Sequence, residues 1–167
     1  MSSQSDNLTT ADFLTTSHRI SGQVQTGVKP LSDVLNDRSQ SYVVAYNVYA
    51  SRLDQAGELG AHAPIAYLSK ENLSLVVVPA REARAPDRTR FAAMEYDALV
   101  TLAGFEVRGK FVGPHRIDLR TFSPATLDSF LLLGEAKADV IGVADLSFQG
   151  EAILVNRARM QSLCLIE

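Results

Sequence analysis

Hydrophobic residues recur along this chain mainly at every second position, in short runs broken by glycine, proline and small polar residues. That spacing predicts strands and turns, not amphipathic helices. From His18 to Val24, Ile20, Gly22 and Val24 alternate with Arg19, Ser21 and Gln23. From Tyr42 to Leu53 the residues are β-branched or aromatic almost throughout, a composition that suits a pleated surface. One face of this strand would carry Tyr42, Val44, Tyr46, Val48 and Ala50, and it is expected to be buried. The other face, Val43, Ala45, Asn47, Tyr49 and Ser51, turns polar only toward its end, so the beginning of the strand is expected to be covered on both sides. Gln55 to Pro64 reads as a loop, and Ile65–Leu68 and Leu73–Val78 are predicted to form a hairpin across Ser69-Lys70-Glu71-Asn72. Leu31, Val34 and Leu35 have helical spacing and predict one short helical turn.

The later part of the chain repeats this arrangement. It has β-rich sequence from Ala98 to Phe111, a turn at Gly113-Pro114, and a short helix opened by Ser123 with Pro124 at its first position. A central strand follows from Phe130 to Ile141, then a hairpin made of Ile153–Val155 and Met160–Ile166. Tyr42 to Pro79 can be laid on Phe130 to Glu167 without a gap. Ala50/Ala138, Ala56/Ala144, Ile65/Ile153, Ser74/Ser162 and Leu75/Leu163 then match outright, and the apolar clusters coincide. Ile20–Val24 resembles Val107–Phe111 at an offset shorter by one residue. An internal repeat decides architecture before any motif is read. The expectation is a mainly β protein of two tandem small β-barrel-like repeats, each with one short helical turn, packed together through Val43–Ala45 and Leu131–Leu133. The predicted organisation is a flexible tail over 1–11, a first repeat over 12–80, an arginine-rich linker over 81–90 and a second repeat over 91–167.

Composition narrows the function classes. A chain of 167 residues, 46% hydrophobic and 21% charged, can bury a sizeable core. A net charge of −3 argues against binding dominated by a phosphate backbone, so nucleic acid is not the expected partner. The single cysteine excludes an intrachain disulfide, and in mid-strand it reads as a small buried hydrophobe. No apolar run reaches the length of a spanning helix, and Met1 to Thr10 lacks the features of a signal peptide, so no membrane insertion and a cytoplasmic location are expected.

The strings Val107-Arg108-Gly109, Phe130-Leu131-Leu132-Leu133-Gly134-Glu135-Ala136 and Ile153-Leu154-Val155-Asn156-Arg157 resemble an uncharacterised bacterial small-β domain of unknown function. Gly27 and Leu31-Ser32-Asp33-Val34-Leu35-Asn36 are similar to the same family's Leu-x-Asp-Leu-Leu-Asn element. The resemblance implies two diverged copies of that domain and a fold, but no chemistry.

Two constellations bear on ligands. Arg84-Ala85-Pro86-Asp87-Arg88 and Asp145-Leu146-Ser147-Phe148-Gln149-Gly150 resemble the two ligand-binding elements of PilZ domains, which sense cyclic di-GMP. The resemblance implies that Arg84 and Arg88 would clamp phosphates and guanine faces while Asp145, Ser147 and Gly150 approach guanine edges. Tyr42, Tyr46 and Tyr49 could stack on bases, but their division between two predicted faces favours core packing. His115, beside Arg116 and Asp118, reads as a loop residue. His18 and His62 lie in separate segments with no carboxylate at ligand spacing, so no catalytic residue, no metal and no cofactor is expected. The leading expectation is a non-enzymatic adaptor or regulatory module with a protein partner, homo-oligomerisation being left open. Its interaction surface would lie where the copies diverge, at Tyr46 and Tyr49 against Gly134 and Lys137. A PilZ-like sensor is the alternative.

Overall fold

The computed structural model describes residues 7–78, 93–114 and 128–166. The first group of strands is β1 (Leu8–Leu14), β2 (His18–Gln25), β3 (Tyr42–Arg52), β4 (Ala61–Ser69) and β5 (Leu75–Val78), with a helix α1 over Leu31–Asn36. The second is β6 (Ala93–Leu102), β7 (Phe105–Pro114), β8 (Phe130–Val140), β9 (Ser147–Asn156) and β10 (Met160–Ile166). All pair antiparallel in one sheet that is not closed, in the order β10-β6-β7-β8-β9-β5-β1-β2-β3-β4.

Two hydrophobic cores lie along this sheet. The first gathers Ala11, Phe13, Val24, Val43, Ala45, Val48 and Leu68 with Leu31 and Leu35 of α1. The second gathers Val100, Phe105, Val107, Leu133 and Ala138. The strand pair β5–β9 serves both. Val76, Val78, Ala152 and Leu154 enter the first core, while Leu75, Val77, Ile153 and Val155 enter the second. An alternating strand covers one core and faces water, whereas an unbroken apolar run needs cover on both faces. Leu75–Val78 and Ala152–Val155 are such runs, and they occupy the seam.

The strand order β5-β1-β2-β3-β4 of the first half recurs as β10-β6-β7-β8-β9 in the second. The correspondence extends to irregularities. The β2–β3 ladder slips between Ser21 and Gln23, and the β7–β8 ladder slips between Arg108 and Lys110. Opposite these slips, Asn47 (φ 49°) and Glu135 (φ 46°) take the left-handed conformation. Gly22 and Gly109 sit in the slips, where an added Cβ would crowd Val48 and Ala45 in one half and Ala136 and Leu133 in the other. Reading equivalence through the ladders keeps Tyr46 opposite Gly134 in the comparison, and Tyr49 opposite Lys137. Beyond the loop after β3 the offset falls by one residue. Ala66 and Ile153 are then equivalent, because they pair with the equivalent residues Ala45 and Leu133. The gap-free overlay that matches Ile65 with Ile153 and Leu75 with Leu163 differs by one residue from this ladder correspondence from β4 onward.

Several expectations are corrected. Strand β1 starts at Leu8, inside the segment expected to be a tail, and Thr9 and Ala11 are buried. The two predicted terminal hairpins do not form. A 3-10 turn over Lys70–Asn72 separates β4 from β5, another over Arg157–Arg159 separates β9 from β10, and the flanking strands leave to different neighbours. The first turn is pinned by Asn156, whose Nδ2 donates to the carbonyls of Leu73 (2.7 Å) and Lys70 (3.2 Å). Lys70, buried itself, sends Nζ back to the carbonyls of Val34 (2.7 Å) and Asp37 (2.8 Å) at the end of α1, and this burial pushes its ammonium pKa down. Gly113 and Pro114 close β7 instead of forming a turn. Val43 and Ala45 face their own core, not the second half; that contact is made by Phe130, Leu132, Ala152 and Leu154. Cys164 is exposed on β10, not buried. The Arg81–Arg90 linker and the Ser123 helix lie outside the described residues.

Candidate functional site

The β3–β4 hairpin forms one end of the sheet, and its outer surface is tyrosine-rich. Val43, Ala45 and Val48 point into the core, which sends Tyr42, Tyr46 and Tyr49 outward. This reverses the expected burial of Tyr42 and Tyr46. Tyr46 and Tyr49 are three residues apart, and strict alternation would put them on opposite faces. The left-handed Asn47 between them absorbs one residue of the repeat, so both side chains emerge on the same side. Across the ladder Val44 meets Tyr67, Tyr46 meets Ile65 and Tyr49 meets His62.

Within this surface the Tyr49 and His62 rings lie 4.5 Å apart, tilted by 32°. His62 Nε2 is 2.9 Å from Asn47 Oδ1, so the bulge residue also orients the imidazole. Four of the five tyrosines of the chain lie on this face, together with the exposed Ile65. None of the residues that build it carries a carboxylate, ammonium or guanidinium. Large rings with a hydroxyl at the tip supply contact area and a polar handle at small entropic cost, the composition found at the centres of protein interfaces.

Elsewhere the described surface offers little catalytic geometry. A cleft of about 280 Å³ is lined by Thr16, Glu71, Ser74, Ala103, Ala158 and Arg159, between the two 3-10 turns. Arg159 there donates to the Glu71 carbonyl (2.7 Å) and to Asn72 Oδ1 (3.1 Å), which ties β10's turn to β5's. Ser17 Oγ lies 2.7 Å from His18 Nδ1, an exposed contact between neighbouring residues at the start of β2. The Asp54 carboxyl is held below its usual range chiefly by a hydrogen bond from Arg52. Among the described residues no three His, Cys, Asp or Glu side chains form a metal-binding group.

Of the residues suggested for cyclic di-GMP, Asp145 lies in the turn after β8 with φ 59°, and Ser147 opens β9, both exposed. Gly150 has a packing reason to be glycine, since a Cβ there would stand 2.9 Å from the Val78 carbonyl across the seam. Arg84, Arg88 and His115 lie outside the described residues. No helix among the described residues is long and apolar enough to cross a membrane. The chain matches no family model, no curated protein and no solved structure.

Proposed function

We propose that this protein is a non-enzymatic interaction module made of two diverged copies of one small β unit, and that it binds a polypeptide through the outer face of β3–β4. The observation that carries this reading is the grouping of Tyr42, Tyr46, Tyr49, Ile65 and Tyr67 on one exposed, uncharged surface. A contiguous exposed patch of this kind, as distinct from single exposed apolar residues, marks an association site. The duplication is supported by the recurrence of strand order, ladder slips and left-handed residues in both halves. In the second half Gly134 and Lys137 stand where the first has Tyr46 and Tyr49, so the binding surface belongs to the first unit alone.

The test is photocrosslinking with p-benzoylphenylalanine at position 67, in the native host. A polypeptide adduct is expected, reduced by about tenfold or more when Tyr46→Ser and Tyr49→Ser are added, as for central aromatic anchors. No adduct from positions 42, 46 or 67 would sink the reading.

A further inference from the structure

The two outermost strands, β4 and β10, are the counterparts of the two strands joined at the seam. By position in the strand order, β4 corresponds to β9 and β10 corresponds to β5. The chain therefore contains one fourth-strand to fifth-strand junction, β9–β5, and leaves one fourth strand and one fifth strand at the ends of its sheet. We propose that the partner for the β3–β4 face is a second copy of this chain, joined head to tail by pairing its β10 with β4. This rests on the reading of that face as an interaction surface and names its occupant.

The seam supplies the template. There Leu75, Val76, Val77 and Val78 pair with Val155, Leu154, Ile153 and Ala152. Carried to the equivalent positions, Ser162, Leu163, Cys164 and Leu165 of one copy pair with Leu68, Tyr67, Ala66 and Ile65 of the next. Both four-residue stretches lack charge and proline. Exposed edges that are meant to stay single carry those devices, and Pro64 lies just outside the stretch.

Burial shows the same correspondence. Phe130, Leu132, Ala152 and Leu154 project from the second half onto the core of the first. Their equivalents are Tyr42, Val44, Ile65 and Tyr67. Leu154 is 1% exposed and Tyr67 69%; Phe130 is 3% exposed and Tyr42 56%. On the opposite edge, Cys164 takes the place of the seam residue Val77 and is exposed, as is Ile166 beyond it. Among the described residues, each outer edge thus exposes the apolar positions that its counterpart buries. The joined surfaces are different on the two partners, so each addition leaves the same two edges open, and the assembly grows until the rotation per chain closes a ring or runs on as a filament.

The register makes a specific covalent test. Cys164 is the only cysteine, and the template sets it directly opposite Ala66 of the next copy. Directly opposed residues in an antiparallel ladder have Cα atoms about 4.5–5.5 Å apart, within reach of a disulfide. Oxidised Ala66→Cys is expected to give a ladder of disulfide-linked multimers on a non-reducing gel, abolished by adding Cys164→Ser. Tyr67→Cys, whose side chain leaves the other face, gives none. In sedimentation velocity the wild type self-associates as its concentration rises to about 1 mM. Tyr67→Glu blocks one edge and Cys164→Arg the other, both at exposed positions, with retained folding checked by circular dichroism. Each variant alone is monomeric, and an equimolar mixture forms dimers and nothing larger. A wild type that stays monomeric overturns the proposal, as does association that survives both variants, or a ladder from Tyr67→Cys in place of Ala66→Cys. A monomer that still crosslinks a different polypeptide at position 67 removes the self-association and leaves the interaction module standing. A monomer with no adduct removes both.

Discussion

The seam strands β5 and β9 and the edge strands β10 and β4 hold the same places in their halves, yet they are built differently. Leu75–Val78 is buried at every residue and Ala152–Asn156 likewise, whereas β10 alternates between half-buried and exposed, and β4 exposes Ile65 and Tyr67. The polar contacts divide in the same way. At the seam Asn156 fastens the first 3-10 turn through two carbonyls, Asn36 Oδ1 accepts from the Phe130 amide at 2.8 Å, and Asn156 N–H donates to Ser74 at 3.0 Å. The place of Asn156 in β4 is taken by Ser69. A strand's position in the order therefore does not determine its composition. What decides it is whether a neighbour covers the second face.

The comparison breaks first at Leu154. Leu154→Ala removes a side chain buried in the first core and is expected to cost about 2–5 kcal/mol, whereas Tyr67→Ala, its exposed counterpart, stays within about 0.5 kcal/mol. Urea denaturation at a dilution where the protein is monomeric measures both. Equal costs would mean that the seam does not bury what its geometry implies.

Asn156→Ala leaves the Lys70 and Leu73 carbonyls without that donor, and a loss of about 1–3 kcal/mol is expected. Ser69→Ala at the equivalent edge position is expected to change stability by less than about 0.5 kcal/mol. A smaller contrast lies in the two bulges. A Cβ on Gly109 would stand 2.9 Å from the Ala136 Cβ and 3.0 Å from the Gly134 carbonyl, while one on Gly22 meets Val48 Cγ2 at 3.1 Å. Gly109→Ala should cost about 1–3 kcal/mol through overpacking and Gly22→Ala less, because a side-chain methyl yields more readily than backbone.

Ala63 replaces Gly150 at the edge. Its methyl would press on the approaching strand as a Cβ on Gly150 would press on Val78, so Ala63→Gly should tighten self-association by up to about tenfold, read by sedimentation. The smallest effect is electrostatic and belongs to the first half. A hydrogen bond from Arg52 holds Asp54 below the ordinary carboxylate range, and bonds from the Ser39 hydroxyl and amide do the same for Asp37. Their folded pKa values lie below the unfolded ones, so the stability they contribute is present above about pH 4 and is lost as pH falls through the folded values. Arg52→Met should slightly lower the urea midpoint at neutral pH, flatten its acid limb, and leave it unchanged in acid where Asp54 is protonated in both states.

Much of the fold was legible where the period is local. The strands expected over His18–Val24, Tyr42–Leu53 and Phe130–Ile141 are found at His18–Gln25, Tyr42–Arg52 and Phe130–Val140, and the helical turn from Leu31 is found at Leu31–Asn36. Strand β1 was not legible, because Leu8-Thr9-Thr10-Ala11-Asp12 has the polar composition of a tail and becomes a strand by pairing with β2 and β5. The tyrosine surface was half legible. Tyr46 and Tyr49 stood out as places where the halves diverge, but their shared face depends on a left-handed Asn47 that alternation cannot reveal.

By itself the amino-acid sequence determined that this protein is mainly β, where several of its strands lie, and that apolar patterns recur along it, because alternation and turn residues act over a few neighbours. Only the tertiary structure decided which strands meet. The runs Leu75–Val78 and Met160–Ile166 both read as terminal hairpin strands, yet one is closed in the middle of the sheet and the other left at its end. The 3-10 turns that redirect them are held by Asn156 and Arg159, reaching more than eighty residues back along the chain. Such contacts leave no period in the sequence, and they separate the seam from the free edges.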